Sequence, residues 1–186
     1  MREIDTGAPF SFHARVVKRA LVLFCLVVLA GCASPPPTRQ VEKVQPLPIA
    51  LDRDFSFRKI KQYFLDPLGP PLTPGTDASI GFEKAYRLYG AITALDQRQR
   101  YGNYYAFFWR ARRRADVTVR LEYRQDKLHA LVQAREIRYQ NVRGTRETQF
   151  AIIGDDFYDD GRVIAWRASL VVDGRVVALK RSYLWE

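Results

Sequence analysis

The chain has 186 residues, 47% of them hydrophobic and 27% charged, which is typical of a globular domain with appendages rather than of a disordered, collagenous or polytopic membrane protein. The 30 lysines and arginines outnumber the 20 aspartates and glutamates and give a formal charge of +10. Only two cysteines and two histidines are present, so the composition argues against a disulfide framework and against a Cys/His zinc site.

The first 31 residues have the pattern of a secretion signal. The basic residues Arg15, Lys18 and Arg19 precede an uncharged run of 11 residues, 20–30. Crossing a bilayer takes about 20 residues of helix, so this run is too short to span one. It has the length of a signal-peptide core, and it ends in the tetrapeptide Leu29-Ala30-Gly31-Cys32.

This tetrapeptide resembles the lipobox of bacterial lipoproteins. The resemblance implies cleavage between Gly31 and Cys32 and an acyl lipid, palmitate among its chains, that anchors Cys32 in a membrane. Ala33 follows the cysteine at the place where an aspartate favours inner-membrane retention in enterobacterial lipoproteins. The resemblance therefore implies a lipid-anchored protein of the bacterial outer membrane.

Composition divides the rest of the chain into three parts. Residues 32–50 contain the lipidated cysteine and a proline-rich tether, because clustered prolines favour an extended conformation. Residues 51–80 are predicted to be an extension that packs on the domain, with a short strand or helix and then a proline-rich loop at 66–75. Residues 81–186 are predicted to form the domain itself.

From residue 81 onwards the sequence has the character of β-strands. The clearest alternation of apolar and polar residues lies at 117–124. Asp173-Gly174 is a typical two-residue hairpin turn, while residues 114–116 and 141–144 are interpreted as turns between strands. The seven predicted strands are residues 85–93, 104–112, 117–124, 131–139, 148–153, 164–172 and 175–185.

Seven strands in 106 residues are typical of an immunoglobulin-like or fibronectin III-like β-sandwich, so the predicted fold class is all-β. A small β-barrel is the alternative. Trp109, on the second of these strands, is predicted to be the core tryptophan. The cysteine pair of antibody domains is absent, so the prediction of a sandwich rests on the strand pattern alone.

Residues suited to catalysis are scarce. His129 lies beside a predicted turn, where a surface histidine is the plainer interpretation. The sequence has no Gly-x-Ser-x-Gly nucleophile elbow and no glycine-rich phosphate loop ahead of a helix. We therefore expect a non-enzymatic protein without a cofactor.

Four carboxylates stand close together between Gly154 and Gly161. Carboxylate oxygens are the ligands that Ca²⁺ prefers, but an EF-hand template fails here because its third and twelfth positions would hold Tyr158 and Arg167. Aspartate and glycine also favour a turn between strands, which is the interpretation that we prefer. The weak metal-binding candidates are Asp155, Asp156, Asp159 and Asp160.

Arginines supply the main candidate binding site. They lie at the end of the second predicted strand, in the turn after it and along the third strand, and they would share an edge or face if these strands pair. Guanidinium groups bind phosphate and carboxylate in bidentate fashion. The expected partners are anionic lipid, lipopolysaccharide or an acidic envelope protein, not nucleic acid, with a solvated sheet face as the plain alternative. The candidates are Arg110, Arg112, Arg113, Arg114, Arg120 and Arg124.

Together these patterns predict a lipid-anchored, non-enzymatic binding or assembly module of the bacterial cell envelope. Two alternatives stay open. One is a metal-binding or hydrolytic domain that uses the carboxylates at 155–160, and the other is a structural spacer without a specific ligand.

Overall fold

A computed structural model of the protein describes residues 36–69 and 77–185, which belong to one compact unit, Pro36–Glu186. The strands in this part of the chain are β1 (Arg39–Val41), β2 (Phe55–Leu65), β3 (Gly102–Gln125), β4 (Gln133–Ile153), β5 (Val163–Val172) and β6 (Arg175–Arg181). The helices are α1 (Ala78–Leu88), α2 (Ala94–Arg98) and α3 (Asp155–Asp160), with a 3-10 helix at Asp126–Leu128.

All six of these strands belong to one antiparallel sheet. Its order is β1-β4-β3-β5-β6, and β2 is hydrogen-bonded to β3 as well. The predicted all-β class is therefore confirmed at the level of secondary structure. The immunoglobulin-like sandwich is not confirmed, because the described strands form a single sheet.

One predicted strand, residues 85–93, is wrong because its first half belongs to α1. The Asp77 side chain caps this helix by accepting a hydrogen bond from Ser79 N at 2.7 Å. A second cap follows at Thr93, which exchanges hydrogen bonds with Asp96 at the start of α2. These two caps favour helices on either side of the segment that had been assigned to a strand.

β3 and β4 are each about twice as long as the predicted strands, because two predicted turns are bends within them. Ala111 pairs with Gly144 and Ala115 with Val142, and the register shifts on both sides of Ala115. Such bulges bend a strand without ending it. We call residues 111–116 of β3 and 141–146 of β4 the bend. Four predicted strands are therefore two continuous ones.

The bend brings the two ends of each long strand together. Val163 N donates a hydrogen bond to Asn103 Oδ1 at 2.9 Å, and Val163 also pairs with Gln125, so the start and end of β3 meet at one residue. In β4, Arg135 Nη1 donates to the carbonyl oxygen of Ala151 at 2.6 Å. The β3–β4 hairpin is therefore folded over on itself, and its inner face forms the core.

Trp109 lies in this core with no exposed surface, which agrees with the sequence prediction. Its Nε1 donates to Thr148 Oγ1 at 2.8 Å, and its ring meets the Tyr139 ring edge to face, with centroids 5.4 Å apart. Phe107 contacts Trp166 of β5 at 5.5 Å between ring centroids. Since these two residues belong to opposite halves of the folded sheet, their contact closes the core.

The segments before residue 81 are hydrogen-bonded into the same unit. β1 pairs with residues 134–136 of β4, and Val176 N donates to the carbonyl oxygen of Pro48 at 2.9 Å. β2 runs beside β3, with Phe55 opposite Ala111. Hydrogen bonds therefore join the segments before residues 50 and 80 to the strands after residue 81, although the sequence suggested domain boundaries at these two positions.

Several predicted features lie outside the described residues. They include the signal peptide and most of the proline-rich loop at 66–75. The lipid attachment site Cys32 and its neighbours Gly31 and Ala33 lie outside as well, so cleavage, lipidation and sorting stay predictions.

Replacing Gly144 by alanine is expected to lower the free energy of unfolding by about 1–2 kcal/mol. The φ angle of Gly144 is +96°, yet a Cβ there would meet no atom within 4 Å, so the cost is one of backbone conformation alone. Urea unfolding followed by circular dichroism measures it. Thr145→Ala at the next, exposed position is the control, and equal midpoints for the two variants would contradict the strained bend.

Candidate functional site

Nine exposed basic side chains surround the bend, and we call this group the bend surface. They come from three neighbouring strands and from the turn before β2, because β2 pairs with β3 beside the bend while β4 pairs with it on the other side. Its members are Arg53, Arg58, Lys59, Arg110, Arg112, Arg113, Arg114, Arg143 and Arg146.

Arg113 connects the bend to the turn before β2 through two ion pairs and a ring contact. Its guanidinium lies 3.1 Å from a carboxylate oxygen of Asp52, 3.7 Å from one of Asp54 and 4.8 Å from the Phe55 ring centroid. The pKa of Asp52 is lowered, first by a hydrogen bond from Asp54 N and then by Arg113. Arg112 N also donates to the carbonyl oxygen of Asp54 at 2.8 Å. These contacts tie the bend of β3 to the turn before β2.

The acidic residues near the bend are too few to cancel its positive charge. Besides the two aspartates paired with Arg113, they are Asp116 and Glu147. Asp116 accepts a hydrogen bond from Asn141 N at 2.7 Å, and Glu147 accepts one from Gln149 at 2.8 Å. The bend thus has nine basic groups and four acidic ones, and this excess of positive charge attracts anions.

The predicted basic cluster is divided by the structure. Arg110, Arg112, Arg113 and Arg114 belong to the bend surface, but Arg120 and Arg124 do not. The two predicted strands, residues 104–112 and 117–124, do not pair with each other as a shared edge or face would require, because both segments are parts of β3. Arg120 Nε donates to Glu136 Oε1 at 2.6 Å, and the Arg124 guanidinium lies 5.0 Å from the Trp185 ring centroid.

Four arginines of the bend surface were missed in the sequence. Arg143 and Arg146 flank the glycine of a predicted turn, and Arg143 Nε donates to the carbonyl oxygen of Arg112 at 3.1 Å. Arg53 and Arg58 precede and interrupt β2, whose register shifts between Phe57 and Lys59. Arginines stand in or beside both predicted turns, at 112–114 and at 143 and 146. Placing the two turns opposite each other would have brought these arginines together.

The four carboxylates at 155–160 lie on α3, not in a turn, and three of them face different partners. Asp155 pairs with Arg98 and Asp156 with Arg135, each at 2.5 Å, while Asp160 accepts a hydrogen bond from Gln133 at 3.0 Å; the fourth is Asp159. Within residues 36–69 and 77–185, no group of three or more Asp, Glu, His or Cys side chains is arranged to hold a metal ion. The contacts instead attach α3 to α2 through Arg98 and to the start of β4 through Arg135 and Gln133.

A groove of about 490 Å³ separates α1 from the outer face of the sheet. Arg87 of α1 lies 3.4 Å from Glu83 and stacks over the Tyr104 ring at 4.1 Å. Helices α1 and α2 and the segment between them also expose large apolar side chains, at Ile80, Phe82, Tyr86, Tyr89, Ile92 and Leu95. The groove runs along the β2–β3 ladder from Tyr63 and Tyr104, at the end away from the bend, as far as Lys61 and Glu147.

His129 is exposed just after the 3-10 helix, as a surface histidine would be. No family model, no curated protein and no solved structure matches the chain. In the part of the chain that the structure describes, none of the helices combines the length and the apolarity that crossing a membrane takes. The function must therefore be inferred from the surfaces described above and from the N-terminal motif.

Proposed function

We propose that the protein is a lipid-anchored, non-enzymatic binding module of the bacterial outer membrane that contacts an anionic envelope partner through the bend surface. The observation that carries this proposal is the gathering of nine exposed basic side chains around one bend. The lipobox-like sequence before residue 33 supplies the compartment.

Electrostatics supports binding at the bend. Each basic residue close to an anionic surface contributes about 1 kcal/mol, and salt screens this attraction. Eight of the nine basic residues are arginines, whose planar guanidinium binds phosphate and carboxylate in bidentate fashion. Because the bend belongs to paired strands braced by Arg113, these groups are held in place before a partner arrives.

The competing functions have less support. A calcium-like or hydrolytic site on α3 would need its carboxylates to converge, whereas Asp155, Asp156 and Asp160 contact three different side chains. A plain spacer would have no use for a concentration of like charge, which repels itself in the folded state. Neither alternative has an observation of its own in its favour.

Sedimentation of envelope membranes at rising salt tests the proposal. The wild-type chain is expected to stay in the membrane pellet at every salt concentration, because the lipid holds it. Cys32→Ser, expressed behind a cleavable signal that has no lipobox so that residues 1–31 are absent, should pellet only at low salt. Adding Arg112→Glu and Arg114→Glu to that variant should lower the remaining association by about tenfold or more, since two charges are reversed.

The matched control reverses Arg162 and Arg181, which are exposed and lie outside the bend surface. This control should pellet like Cys32→Ser alone. Salt-resistant pelleting of Cys32→Ser would contradict the lipid anchor. Equal loss in the control and the bend variant would contradict a specific role for the bend surface.

A further inference from the structure

β1 determines the direction in which the chain leaves the domain toward its N-terminus. This strand is antiparallel to β4, with Val41 opposite Ala134 and Arg39 opposite Glu136. Followed from Val41 back to Arg39, this strand therefore runs along β4 toward higher residue numbers. The bend, with Arg143 and Arg146, lies in that direction.

The connection from Cys32 to this strand is short. Only six residues, 33–38, stand between Cys32 and Arg39. Seven extended residue steps span at most about 25 Å. The eight ladder positions from Glu136 to Gly144 cover a similar length, about 27 Å. The connection is therefore long enough to allow a lipid on Cys32 near the bend, and too short to separate Cys32 from Arg39 by more than about 25 Å.

We propose that the bend surface docks on anionic phospholipid headgroups of the same bilayer in which Cys32 is anchored. This inference rests on the proposed function, because it takes the lipid anchor as given. The anchor makes headgroup contact an intramolecular event, so that individually weak charge contacts are occupied at a high effective concentration. An acidic protein would have to compete for the bend surface with these headgroups, which the anchor keeps within reach.

Docking of this kind also orients the domain. α1 lies beside Tyr104 through Arg87, whereas the bend begins at Ala111 on the same strand, and the groove extends from α1 as far as Glu147. With the bend on the headgroups, α1 with its exposed rings Phe82 and Tyr86, and Tyr89 just after it, is directed away from the bilayer. The two surfaces then have separate roles, the bend facing lipid and the groove remaining accessible.

A fluorescence quenching experiment on the lipidated full chain tests this orientation. In that chain Cys25 would be removed with the signal and Cys32 would be acylated, so an introduced cysteine is the single reactive thiol. A fluorophore is placed at Thr145→Cys beside the bend or at Tyr89→Cys in the exposed segment after α1. The protein is reconstituted into vesicles of phosphatidylcholine with a headgroup quencher, with or without about 30% phosphatidylglycerol.

The label at position 145 should be quenched at least about threefold more than the label at position 89 in the anionic vesicles. This difference should disappear in pure phosphatidylcholine, at about 0.5 M salt, and in the triple variant Arg110→Glu/Arg112→Glu/Arg114→Glu. The control variant Arg162→Glu/Arg181→Glu should retain it. Circular dichroism of each variant shows that it is folded.

Equal quenching at the two positions in anionic vesicles would overturn the inference, and so would a difference that survives the triple reversal. A difference seen only when lipopolysaccharide is added would overturn it as well, because the ligand would then be another source of phosphate. If headgroup contact fails while bend-dependent sedimentation with envelope membranes persists, the proposed function stands and this inference alone falls. Failure of both experiments would remove both.

Discussion

Replacing Trp109, the largest fully buried side chain among the described residues, by alanine is expected to lower the free energy of unfolding by about 3–5 kcal/mol. The indole has no exposed surface, and its ring packs edge to face on Tyr139 with centroids 5.4 Å apart. It lies next to the bend, where the inner faces of β3 and β4 meet. A cavity there has rigid paired strands around it and collapses poorly.

Trp109→Phe separates the volume of the ring from its hydrogen bond. Phenylalanine keeps most of the packing but loses the Nε1 donor to Thr148 Oγ1. That hydroxyl also contacts Tyr139 Oη at 2.9 Å, so no buried polar atom is left without a partner. The expected loss is therefore smaller, about 1–2 kcal/mol.

Urea unfolding followed by far-UV circular dichroism measures both changes as shifts of the midpoint at constant slope. Tyr183→Ala is the surface control because 98% of the Tyr183 side chain is exposed, and its effect should stay within about 0.5 kcal/mol. A Trp109→Ala midpoint indistinguishable from that of the control would contradict the central position of this ring in the core.

Local signals predicted the parts of this fold that depend on neighbouring residues in sequence. The alternation at 117–124 lies in β3, and Asp173-Gly174 forms the hairpin turn between β5 and β6, with positive φ at both residues. Trp109 is buried because it alternates with exposed Arg110 on a paired strand. None of these outcomes depends on which strand lies next to which.

The bend could not be predicted in the same way. Residues 114–116 and 141–144 have the composition of turns, and a bulge uses the same residues for the same conformational reason. What distinguishes them is the partner strand, because hydrogen bonding resumes at Val117 opposite Tyr139. A turn signal therefore marks a change of direction, and only the pairing shows whether the strand ends there.

The candidate site shows the same limit. Arg110 and Arg112–Arg114 stand together in the sequence and were found. Arg58 and Arg146 reach the bend from strands that lie about 50 positions before and 30 positions after these residues, and only the sheet order places them there. Sequence proximity also misassigned Arg120, which lies only six residues after Arg114 but beyond the bend.

Arg120 belongs to a partly buried ion network that crosses β4, β3 and β5. Glu136 lies opposite Arg120, and Glu122 lies opposite Arg167, so that acid and base alternate across the three strands. Arg120 donates to Glu136 at 2.6 Å, and Arg167 Nε donates to Glu122 at 2.7 Å. Glu122 is only 3% exposed, so its carboxylate contacts these guanidiniums and little water.

Glu122→Ala is expected to lower the free energy of unfolding by about 3 kcal/mol, because it leaves the Arg167 guanidinium without its carboxylate and removes one of the two carboxylates beside Arg120, which lies 3.7 Å from Glu122. Arg120 retains Glu136, while the Arg167 side chain is 34% exposed and recovers some hydration, which places the loss at the lower end for a broken buried pair. Urea unfolding of the single variant gives the value.

The double variant Glu122→Leu/Arg167→Leu shows whether the charges of this network stabilise the fold or only neutralise each other. Removing both partners leaves no isolated charge, and leucines at these paired positions bury apolar surface, so the double variant should be more stable than Glu122→Ala by about 1–3 kcal/mol. Salt should change this difference little, since buried pairs are weakly screened, in contrast to binding at the exposed bend surface. If the double variant is instead the less stable of the two, the charges of this network contribute net stability. Arginines would then stabilise the fold in this network and bind anions at the bend surface.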